Sequence, residues 1–99
     1  MGDYAEGVRR PVENRIAAAM QGDVNAYFDL GLAYSAGTDG VGLDLVEAHK
    51  WFNLAALGHH ARGQQCRAEV AADMSMREIA EAQRQARAWL QHRAPRHAA

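Results

Sequence analysis

Proline is confined to the two ends of this chain, at Pro11 and Pro95, so the whole interior is free to be helical. A proline inside a helix removes a backbone donor and clashes with the preceding turn, and a long proline-free stretch escapes both penalties. Alanine points the same way. It supplies much of the 48% of residues that are hydrophobic, it favours helix above all other residues, and it is depleted in strands. Small side chains let helices approach closely but bury little area each. The 99 residues are therefore read as one all-α domain with a thin core.

Five helices follow from the spacing of apolar residues. The first spans 10–21, with Val12, Ile16, Ala19 and Met20 on one stripe and Pro11 in its first turn, where no N–H is needed. Gly22 ends it and Asp23 caps the second, 24–36, whose inner face is Ala26, Leu30, Ala33 and Tyr34 with Phe28 alongside. Gly37, Gly40 and Gly42 make a tight reversal. Asp44-Leu45-Val46-Glu47 is a capping box that opens the third helix, with Ala48, Trp51, Phe52, Ala55 and Ala56 at helical intervals. After Gly58, His59 and His60 comes a weaker fourth helix, 61–73, interrupted by Gly63. Ser75-Met76-Arg77-Glu78 is a second capping box, and it starts a long fifth helix with Ile79, Ala82, Ala86, Trp89 and Leu90 as its buried stripe. Residues 1–8 and 94–99 are read as loosely held ends of a single domain over 9–93.

The connections are short, and short connections between helices favour antiparallel neighbours. Ala18-Ala19 recurs as Ala55-Ala56, a spacing of about 37 residues that falls in the range of helical solenoids. The expected architecture is a short α-solenoid of stacked antiparallel helix pairs.

The run Ala26, Leu30, Gly31, Tyr34, Gly37, then Gly40-Val41, Asp44, Ala48, Trp51 and Ala55-Ala56 resembles the Sel1-like repeat family, helical relatives of the tetratricopeptide repeat. One complete repeat is covered, about 18–58. The segment 59–93 is a degenerate second repeat and a capping helix of the kind found in short bacterial members. There His59 stands where the family has glycine, Gly58 comes one place early, Arg67-Ala68 replaces Leu-Gly, and Ala71 replaces the tyrosine. The resemblance implies a right-handed, tetratricopeptide-like stack and a non-catalytic adaptor that scaffolds protein complexes.

Charge and motifs narrow the alternatives. The formal net charge is −1 with no long run of one sign, so a broad surface for nucleic acid or anionic lipid is not expected. Arg84, Arg87, Arg93 and Arg96, with His92 and His97, are read as cations complementing a helix C-terminus. No apolar stretch approaches the roughly 20 residues a membrane span needs. The first residues lack a signal-peptide core and the serine or threonine of a myristoylation motif, and Cys66 is the sole cysteine; a cytoplasmic address is expected. Nucleophile elbow, phosphate loop and His-Glu-x-x-His are all missing from the sequence, so neither an enzyme nor a small-molecule substrate is expected. His49, His59, His60 and Cys66 are of ligand type but not of common zinc spacing, and no metal or cofactor is assigned.

The expected partner is therefore another protein. Solenoids of this kind bind on a concave face lined by the first helix of each pair, which points to Tyr27 and Asp29 on the second helix. An ordinary solvated helix face is the alternative for both. Trp89, near the end of the fifth helix, is a third candidate contact. It fits a different arrangement, an accessory subunit docked in a larger assembly through that helix. A metal-dependent regulator is a further alternative and requires the histidines and Cys66 to converge.

Overall fold

Short polar side chains decide where three of the helices begin. Asp23, in extended backbone, accepts the amides of Asn25 at 3.0 Å and Ala26 at 3.3 Å. Asp44 accepts the amide of Glu47 at 3.1 Å. Ser75 accepts the Glu78 amide at 3.1 Å while the Glu78 carboxylate accepts the Ser75 amide at 2.8 Å, a closed capping box. The computed structural model describes residues 12–93 and contains α1 (Val12–Met20), α2 (Val24–Ala36), α3 (Leu45–Leu57), α4 (Ala61–Ala71) and α5 (Met76–Arg93). No strand occurs among the described residues. The expected ends at 1–8 and 94–99, and with them Pro11, Pro95, Arg96 and His97, lie outside those residues. The fourth helix stops at Ala71, short of the expected 73. Turn bonds from Ala72, Asp73 and Met74 carry the chain on toward Ser75.

The stop signals are equally local. Gly37 takes the left-handed conformation (φ 71°), and its amide and that of Thr38 both bond the Ala33 carbonyl. At the end of α3 the two roles are divided. Gly58 has an ordinary φ of −88°, but a Cβ there would lie 2.5 Å from Val24, so packing against α2 demands the glycine. His59 then takes the left-handed turn position with φ 68°.

The core is centred on α3, which packs against α2, α4 and α5, while α1 packs against α2. Trp51, Phe52, Leu30 and Leu54 are its largest fully buried side chains, filled in by Ala19, Ala48, Ala55, Ala82 and Ala86. Gly31 forms a notch in α2 that receives the Phe52 ring, and Phe52 in turn tilts against Phe28 at 5.6 Å. Gly63, expected only to weaken α4, is buried against Ala55 and Ala56 and lets α4 seat on α3. Contacts far apart in sequence close the fold. Arg15 of α1 pairs with Asp39 of the α2–α3 loop, and Arg93 at the end of α5 donates to the Met20 carbonyl at 3.2 Å.

Two substitutions test this packing. At Gly31 an alanine Cβ would stand 2.5 Å from Phe52. Overpacking of about 1–3 kcal/mol should outweigh a helix-propensity gain of about 1 kcal/mol. Gly31→Ala is expected to lower unfolding free energy in urea by up to about 2 kcal/mol. Gly42→Ala, which meets nothing within 4 Å, is expected to change it little. His59→Gly relieves a left-handed histidine and is expected to raise stability by up to about 1 kcal/mol. An unchanged or lower denaturation midpoint would show that the turn is not strained there.

Candidate functional site

Of the three residues expected to meet a partner, two meet at one aromatic junction. Tyr27 is only 4% exposed and stacks on Trp51 with ring centroids 5.9 Å apart. Its hydroxyl accepts the indole N–H of Trp89 at 3.3 Å. The expectation that Tyr27 lies on an outward face of the second helix is therefore corrected. Its ring belongs to the core, because Trp89 gives the phenolic oxygen the hydrogen-bond partner a buried tyrosine needs. α2 is buried on more than one side, at Ala26, Tyr27, Phe28, Leu30, Gly31 and Ala33. Asp29 is half-buried on the same helix.

Trp89 is half-buried. Its ring meets Trp51 edge-on, with centroids 4.8 Å apart and planes at 75°. Trp51 itself is 2% exposed and donates its indole N–H to Glu47 Oε1 at 3.0 Å. Lys50 binds the same oxygen at 3.1 Å, and its Nζ lies 4.7 Å from the centre of the Trp51 ring.

Beside this junction lies an open groove of about 310 Å³, lined by Lys50 of α3 and by Arg84, Gln85, Ala88, Trp89 and His92 of α5. Helix periodicity explains the lining: Arg84, Ala88 and His92 form one row of α5 and Gln85 and Trp89 the adjacent row. Arg84 grips Glu81 through Nε at 3.0 Å and Nη2 at 2.7 Å, and Gln85 donates to the same carboxylate at 2.8 Å. These bonds, with the Arg84 charge, hold the Glu81 carboxyl down at about 2. Lys50, Gln85 and Ala88 were not singled out by the sequence. The four-residue spacing along α5 was the available signal, whereas Lys50 joins only through the packing of α3 on α5.

The histidines and Cys66 have separate surroundings. His60 stacks on Phe28 at 4.2 Å, with the Arg62 guanidinium 5.2 Å from the same ring. His59 is exposed. Cys66 packs at the edge of the core, where burial and then the Glu69 charge push its thiol up and Arg62 partly offsets them. His49 is 3% exposed, and its Nδ1 is buried without a hydrogen-bond partner. Among the described residues no three His, Cys, Asp or Glu groups are placed to hold a metal ion. Nor is any described helix long and apolar enough to cross a membrane. Comparison with family models, curated proteins and solved structures gives no match.

Burial and then the nearby Arg67, which donates to Asn53 at 2.6 Å, lower the pKa of His49 from its ordinary value of 6.5. The fold therefore resists a proton that the unfolded chain accepts. Stability present above pH 6.5 should fall as the pH drops below it, toward the lowered folded value. In His49→Phe the loss of melting temperature between pH 7 and pH 5 is expected to be smaller than in the parent protein. Equal losses would remove His49 as the cause.

Proposed function

We propose that this chain is a non-catalytic protein-interaction module of the Sel1-like kind, working in the cytoplasm as a short right-handed solenoid of stacked antiparallel helix pairs. Support for the family reading comes from what the spaced residues do. Gly31 admits Phe52, Gly37 turns the chain, Asp44 caps α3, and Trp51 joins α2 to α5. α3 plays the part of a helix shared between one pair and the next, touching α2 before it and α4 and α5 after it.

One observation carries the functional reading: Trp89, although half-buried, forms part of the wall of an open groove beside the aromatic junction. A rigid tryptophan held by Trp51 and Tyr27 loses little conformational freedom on binding, which is the property of an interface anchor. The groove is shallow and mixed in polarity, and such a surface suits a segment of protein. Binding accordingly moves from the expected face of the second helix to the α3–α5 side, and Asp29 becomes a secondary candidate. The position of Trp89 in the groove wall also favours a second reading, an accessory subunit whose α5 is covered permanently in a larger assembly.

Affinity capture from native lysate with tagged protein, followed by mass spectrometry, tests the proposal. A specific partner is expected to survive Asp29→Ala and to be lost with Ala88→Tyr, which fills the groove and leaves Trp89 in place. Loss with Asp29→Ala alone would return binding to α2. An accessory subunit would aggregate when purified without its partner, whereas a module would remain monodisperse. No enriched partner from well-folded protein would overturn both readings.

A further inference from the structure

The groove between α3 and α5 has basic and aromatic walls and no acidic one. Lys50, Arg84 and His92 share its lining with Gln85, Ala88 and Trp89. The chain as a whole carries a formal net charge of −1, so the basic lining is a local clustering of hydrogen-bond donors and not a broad positive field. Glu47 and Glu81 pair with Lys50 and Arg84, yet neither carboxylate belongs to the lining. The Arg84–Glu81 pair is exposed, at 60% and 41% of the two side chains, and exposed pairs exchange partners readily. Arg84 uses Nε and Nη2 on Glu81, and its Nη1 makes no hydrogen bond among the described residues. His92 offers a ring N–H in either protonation state.

Spacing adds a length. Arg84 and His92 stand eight residues apart on α5, about 12 Å along the helix. An extended chain covers that distance in about four residues. Ala88 lies midway in the same row, beside Trp89, and gives an apolar floor between two polar ends.

We propose that this groove binds an extended acidic segment of a partner protein, with two carboxylates about four residues apart at Arg84 and His92 and an apolar side chain on Ala88 and Trp89 between them. Lys50 on the facing helix adds a third donor. The inference rests on the reading of the protein as an interaction module and adds the chemistry of what it holds. A nucleic acid strand is the less favoured occupant, because a near-neutral chain with no long run of basic residues offers no extended positive track for a polyanion beyond the groove itself.

Selection of a random dodecapeptide display library on the tagged full chain tests this. Three variants run in parallel: Ala88→Tyr, the milder Arg84→Gln, and the double substitution Arg84→Glu with His92→Glu, each checked by circular dichroism. The intact chain should enrich peptides with paired Asp or Glu flanking an apolar residue. Ala88→Tyr should lose them. Arg84→Gln should weaken a selected peptide several-fold, and the charge-reversed protein should weaken it at least tenfold and enrich Lys and Arg instead. Added salt should weaken binding as well. Groove-dependent peptides without a carboxylate excess would overturn this inference and leave the interaction module standing. No peptide sensitive to Ala88→Tyr would overturn both. A dT12 oligonucleotide that shifts tryptophan emission where acidic peptides do not would assign the groove to nucleic acid and overturn the proposal.

Discussion

Three helices meet on the indole of Trp51. Its ring faces Tyr27 of α2 and Trp89 of α5, and its N–H is satisfied within α3 by Glu47. In a core filled largely by alanine, a few aromatic groups must supply most of the buried area. Each well-placed aromatic pair adds about 0.5–1.5 kcal/mol beyond that area. The bond from Trp89 to the Tyr27 hydroxyl then fixes how α5 lies over α2 and α3, since a buried phenol or indole left without a partner is costly. The groove exists because this junction holds the Trp89 ring while its neighbours on α5, one row over, face solvent.

Local signals were legible and distant ones were not. Asp23, Asp44 and the Ser75–Glu78 pair mark helix starts because a capping side chain acts on amides two or three residues ahead, within reach of a short pattern. The start of α4 carries no such signal. His60 stands at its cap position without a side-chain hydrogen bond, and α4 is held instead by Gly63 on α3 and by Arg67 on Asn53. The expected single inner face of α2 missed Tyr27 because small residues blur the period. Flanked by α1 and α3, the helix buries Ala26, Tyr27 and Phe28 in succession.

The groove was legible by halves. The row Arg84, Ala88, His92 can be read from the sequence, but nothing in the sequence pairs it with Lys50 on α3. The arginines of α5, read together as complements to a helix terminus, divide in the structure. Arg93 does lie in the last turn and reaches back to the Met20 carbonyl, whereas Arg84 sits in mid-helix and answers Glu81. The capping-box carboxylate of α3 also found other work. Glu47 accepts from Trp51 and Lys50, so the residue that reads as a helix-start signal also orders the aromatic junction.

The order of the helices along the chain gives this junction a history. Tyr27 and Trp51 leave the ribosome well before Trp89, and translation at about 5–20 residues per second leaves an interval on the order of seconds. During that time α2 and α3 can already pair, since their contact is local, but the side of Trp51 that α5 covers in the finished fold has no occupant. For the nascent chain the same indole is an apolar surface open to chaperones or to other newly made chains. Arrival of α5 both completes the core and withdraws that surface.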